Sequence, residues 1–64
     1  MRTFKVVNKK GCLRNEYISE NEEYFLVSTN DSVIYRRIRD NASSFMNLGK
    51  FRITLQQGDI IFTD

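Results

Sequence analysis

Residues 22–40, EEYFLVSTNDSVIYRRIRD, decide how the rest of this chain is read. Two runs rich in β-branched and aromatic residues, 24–28 and 33–39, flank the polar tetrad Thr29-Asn30-Asp31-Ser32. Asn and Asp are the non-glycine residues that best tolerate the positive φ of a tight hairpin turn, so the stretch predicts two antiparallel strands. A two-residue turn at Asn30-Asp31 sets Leu26 opposite Tyr35, Tyr24 opposite Arg37 and Glu22 opposite Arg39 on one face. Val27 and Ile34, with Phe25, Arg36 and Ile38, occupy the other; a three-residue loop would shift this pairing. Both faces carry apolar or aromatic side chains. One is therefore expected to pack the core and the other to meet something outside the chain.

Working outward toward the N-terminus, residues 3–8 (TFKVVN) alternate as a first strand, and Asn8-Lys9-Lys10-Gly11 reads as a turn. Residues 12–18 either continue that strand past a bulge at Gly11 or form a short strand of their own, and 19–23 make an acidic connection. Toward the C-terminus the period changes after Asp40. Asp40 or Asn41 as N-cap, Ala42, Phe45 and Met46 at helical spacing, and Gly49 as terminator predict one or two turns of helix, with Phe45 and Met46 plugging the core. From Lys50 the alternation returns, with Phe51, Ile53 and Leu55 inward. Gln57-Gly58 then makes a turn before a last strand at 59–62. The expected order is β1-β2-β3-α-β4-β5, an all-β domain with one short helix. This is the order of a small five-stranded OB-like barrel, with an SH3-like barrel as the competing architecture.

A chain of 64 residues holds one domain, here 1–64, and buries only about 60% of its unfolded surface, so its core is thin. Association with a copy of itself or with a partner is the natural compensation. With Cys12 as the lone cysteine and no histidine, zinc-finger and Cys-His or histidine acid-base chemistry are excluded within one chain, and no cofactor or metal is expected. A lone thiol suits a reducing compartment, no apolar run approaches a membrane span, and the N-terminal stretch does not read as a signal peptide; the expected location is cytoplasmic. The carboxylates are scattered over turns and ends and no phosphate-binding glycine loop is present, so an enzyme is not expected.

The second half of the chain also carries a family resemblance. Ser28-Thr29-Asn30-Asp31, Tyr35-Arg36-Arg37-Ile38, Gly49-Lys50-Phe51-Arg52 and the closing Gly58-Asp59-Ile60-Ile61-Phe62 resemble the small translation initiation factors of the factor-one type over residues 24–63. The resemblance implies an OB-fold and points to RNA. The chain departs from that pattern in the spacing around Gly49, and the family's dense basic run is reduced to Lys50 and Arg52.

The net charge is only +2, yet its signs are segregated: bases dominate 1–14 and 32–52, acids 15–31. A basic surface on a nearly neutral chain is the electrostatic footprint of nucleic-acid binding, while pairing of oppositely charged strands is the structural alternative. Strands 2 and 3 of an OB-fold are its ligand platform, where rings stack on bases and cations follow phosphates. The expected site for single-stranded nucleic acid or RNA is therefore Tyr24, Tyr35, Arg37 and Arg39, supported by Lys9, Lys10 and Lys50. The alternative is a protein-binding adaptor or inhibitor, of the kind made by phages, in which Tyr24 and Tyr35 are a cross-strand pair and Arg39 is bridged to Glu22.

Overall fold

Alternation fixes the first strand: β1 (Thr3–Val6) buries Phe4 and Val6 and turns Thr3 and Lys5 the other way. After it the chain makes a short 3-10 turn, Gly11–Leu13, entered through Gly11 at φ 57°, where a side chain would be strained. This turn delivers Leu13 and then Ile18 to the core, so residues 12–18 are neither of the strands considered for them. The expected hairpin follows as β2 (Glu23–Thr29) and β3 (Ser32–Arg37). The computed structural model describes residues 2–64 and joins these strands with two more in a five-stranded antiparallel sheet of order β4-β3-β2-β1-β5.

The hairpin register is the one expected at its open end, with Tyr24 opposite Arg37 and Leu26 opposite Tyr35. Between Leu26 and Ser28 the ladder slips by one at Val27, after which Ser28 faces Ile34 and Thr29 faces Val33. The bulge thus absorbs one residue, and three residues, Asn30, Asp31 and Ser32, lie between the last β2–β3 pair, Thr29 and Val33, with Ser32 already paired to Asn47 of the next strand.

The mostly-β class, the strand number and the single short helix agree with expectation; the place of the helix does not. Residues 43–47 form β4 (Ser43–Asn47), and the helix α1 spans Leu48–Gln57, so the order is β1-β2-β3-β4-α-β5. Two local devices explain this. The Asn47 side chain accepts from the backbone N–H groups of Gly49 (2.8 Å) and Lys50 (3.3 Å), an N-cap that starts the helix where a stop was expected. Gly49 permits the close approach, since a Cβ there would lie 3.0 Å from the capping oxygen. At the far end Gly58, at φ 78°, donates its N–H to Thr54 and Leu55 and closes the helix as a left-handed cap.

The helix lies over one side of the sheet, touching β4, β3, β5 and the 3-10 turn, and covers the core of this small barrel-like unit while β4 and β5 remain the sheet's two edges. Leu48, Phe51 and Leu55 face the core at helical spacing together with the buried Thr54, whose hydroxyl donates to the Phe51 carbonyl at 2.8 Å. The last strand, β5 (Ile60–Phe62), returns beside β1, and the Asp59 carbonyl accepts from Val7 (2.8 Å) and Asn8 (3.2 Å). Phe4 is the centre of the core: it stacks on Tyr24 at 5.5 Å and meets Phe51 and Tyr35 edge-on at 5.4 and 6.1 Å. Such aromatic pairs are worth about 0.5–1.5 kcal/mol each beyond their burial.

Candidate functional site

The face of β2 and β3 that carries Tyr24 and Tyr35 is the core face. Tyr24 is 1% exposed, packed by Phe4, Tyr35 and the segment at Ser19, and Tyr35 is fully buried on β3, which α1 touches. This corrects the expectation that the two rings stack on bases: both are buried, packed against Phe4 and against each other, and neither presents a face to solvent. The Tyr24 hydroxyl accepts from Ser19 N–H at 2.9 Å. The Tyr35 hydroxyl is buried with no such partner, and burial pushes its pKa up.

The cations of the expected site are dispersed. Arg37 donates to the Asp40 carboxylate at 2.9 Å, which holds the guanidinium in its charged form; Asp40 is held below the usual carboxylate range by the Ala42 N–H and by Arg37. Arg39 reaches Glu22 at 3.3 Å, the cross-strand bridge considered as the structural alternative. Lys50 sits in the first turn of α1 and bonds Glu16 at 2.7 Å, which raises its pKa. Lys9 and Lys10 are exposed in the loop after β1, where the Lys9 N–H, not its ammonium, binds Glu20 at 3.0 Å. Three of the five cations of the expected site, Arg37, Arg39 and Lys50, are thus each paired with a carboxylate of the chain itself.

The opposite face of the sheet is the accessible one. Phe45 on β4 stands 68% exposed directly across from Ile34 on β3, itself 41% exposed; on β2 Ser28 is opposite Ile34, and the bulge residue next to it, Val27, is exposed as well. Next along the hairpin, Arg36 lies opposite Phe25 with its guanidinium 5.2 Å from the ring centroid, and its Nε is buried without a hydrogen-bond acceptor. A cation within about 6 Å of a ring is attracted to it, so Phe25 and Arg36 hold each other flat against the sheet. Ile34 and Phe45 also border an open depression of about 400 Å³ with Ser32, Ser43 and Ser44. Phe45 was expected inside. It points out because it lies on a strand, where Met46, its neighbour, takes the inward position.

A second depression, of about 360 Å³, lies where β4 begins, between Arg37, Ser43 and the ring of Tyr17. Tyr17 is 86% exposed and was not singled out in the sequence, since next to Ile18 in an irregular segment it carries no periodic signal. Among the described residues no cluster of acidic or cysteine side chains is placed to hold a metal ion, and no helix is long and apolar enough to cross a membrane. Comparisons with protein-family models, with curated proteins and with solved structures give no match to this chain.

Proposed function

We propose that this chain is a non-enzymatic protein-binding module, an adaptor or inhibitor that docks a larger protein on the outer face of β2, β3 and β4. The observation that carries the proposal is the cross-strand pair Ile34 and Phe45, both apolar and exposed, with the exposed Val27 at the bulge beside Ser28, the β2 partner of Ile34. Aromatic and branched side chains gathered in this way anchor interfaces, because their desolvation supplies most of the binding energy. Arg36 adds a cation on the same face with no acidic partner among the described residues, so a partner segment that is apolar with one carboxylate or carbonyl suits the face. The lone thiol Cys12 fits action in a reducing, cytoplasmic setting. Nucleic acid would have to be held by Lys9, Lys10 and Arg14 without the buried tyrosines, and such contacts give affinity that falls steeply with salt.

Selection of a displayed random peptide library on the immobilised chain tests the proposal, with fluorescence anisotropy of labelled single-stranded RNA and DNA at two salt concentrations run beside it. The expected binders are apolar peptides that lose affinity on Ile34→Asp and Phe45→Asp and keep it on Arg52→Ala. Salt-steep RNA binding that disappears with Lys9→Ala and Lys10→Ala, together with no peptide sensitive to Ile34, would overturn it.

A further inference from the structure

The strand β4 is an open edge of the sheet, and the phase of its ladder shows which of its backbone groups are free. Arg37 N–H donates to the Ala42 carbonyl at 2.8 Å, while Ile38 N–H donates to Glu23 on the other side. Residues of an antiparallel strand bond alternately to one neighbour and the other. Ser44 and Met46 therefore turn their backbone groups to β3, and Ser43, Phe45 and Asn47 turn theirs to the open edge. Edge strands are ordinarily blunted by lysine, proline, a bulge or a covering segment. β4 reads Ser-Ser-Phe-Met-Asn and has none of the first three, while the outward-facing residues Ser43, Phe45 and Asn47 are all exposed.

We infer that β4 is a homotypic pairing edge, at which a second copy of the chain adds antiparallel about a two-fold axis through Phe45. The strand is self-complementary in this register. Phe45 exchanges hydrogen bonds with Phe45 of the second copy, and Ser43 of each copy meets Asn47 of the other. No charged side chain is brought to the seam. Charge favours this orientation over the parallel one: Arg36 lies at the level of Ser43 and Asp31 lies next to Ser32, which is opposite Asn47, so the basic end of one copy faces the acidic loop of the other. Parallel pairing would set base against base. The Phe45 and Ile34 side chains stay on the outer face, so the pairing joins two apolar rows into one and leaves the face open. The inference goes beyond the protein-binding reading, since it requires no foreign partner. A five-residue ribbon buries less than the roughly 800 Å² per partner of a standard interface, so the dimer is weak and concentration-dependent.

Sedimentation velocity over a concentration series tests it, on the chain alone, with peptide binding measured separately at dilution. The wild type is expected to move from one chain toward two as concentration rises. Phe45→Lys and Phe45→Glu, which place like charges across the two-fold, should each remain a single chain, and an equimolar mixture of the two should return to two chains. Ser43→Pro deletes an outward N–H without touching the ladder to β3 and should also weaken the dimer, with circular dichroism matching the wild type. A wild type that stays a single chain at the highest soluble concentration, either charge variant associating alone as the wild type does, or a mixture that does not associate, would overturn the inference.

Discussion

Tyr24 and Tyr35 meet edge to face inside the sheet, their ring centroids 5.4 Å apart and their planes at 88°. Neighbouring strands place them there diagonally, Tyr24 opposite Arg37 and Tyr35 opposite Leu26. The two hydroxyls differ in a way that stability measurements can read. Tyr24 accepts a hydrogen bond from Ser19, whereas Tyr35 leaves a buried oxygen without one. Tyr24→Phe is expected to cost about 0.5–1.5 kcal/mol, and Tyr35→Phe to be neutral or stabilising. Urea unfolding of the two variants checks the contrast; equal losses would contradict it.

The helix depends on its two ends. Asn47→Ala removes the acceptor for two backbone N–H groups and is expected to destabilise by about 1 kcal/mol. Gly58→Ala forces a side chain into the left-handed region at φ 78° and is expected to cost about 1–2 kcal/mol. Gly11→Ala, at φ 57°, serves as a comparison outside the helix. Loss of helical circular dichroism should accompany the first two variants and not the third.

Acid should weaken the loop between β3 and β4. The folded pKa of Asp40 is lowered, by the Ala42 N–H first and Arg37 next, so its contribution is fully present above the ordinary carboxylate pKa and is lost as pH falls through the lowered folded value. Asp40→Asn is expected to be less stable than the wild type at neutral pH and to converge with it in acid. A constant difference across that range would contradict the assignment.

Alkali acts through Tyr35. Burial raises its pKa, so its contribution is full below the ordinary phenol value and is lost as pH rises through the raised folded value. Lys50, raised by its hydrogen bond to Glu16, has the same sign in the same window. Tyr35→Phe should flatten the alkaline loss of stability in part and leave the Lys50 share. An unchanged slope in that variant would count against a buried, protonated Tyr35.

Much of the fold was legible in residues 22–40. Their β-branched and aromatic runs define both strands, and Tyr24 pairs with Arg37 as a two-residue turn would set it because the bulge at Val27 offsets the extra residue between Thr29 and Val33. What the sequence could not supply was the side on which the core lies, because both faces of the hairpin are apolar. Sidedness is settled by the helix, and the helix was misplaced. In residues 48–55, Phe51, Ile53 and Leu55 satisfy a strand, while Leu48, Phe51 and Leu55 satisfy a helix. The second pattern holds because Asn47 caps it and because Ile53, which only the strand would bury, is exposed. With Tyr24 and Tyr35 in the core on the side where α1 packs, the other face becomes the surface, and Ile34 and Phe45 replace the tyrosines as the candidate site. The bridge between Glu22 and Arg39 was readable from register alone, but the Lys50 to Glu16 contact joins residues distant in sequence and carries no local signal.

The accessible face of the hairpin is the Ile34 and Phe45 side, and the tyrosines are core. Hydroxyl-radical footprinting of the intact chain, read residue by residue, tests it most directly. The predicted result is strong labelling of Phe45 and Tyr17 with Tyr24, Tyr35 and Met46 protected. Labelling of Tyr24 and Tyr35 comparable to that of Tyr17, with Phe45 protected, would contradict it and return the nucleic-acid platform to the inner face.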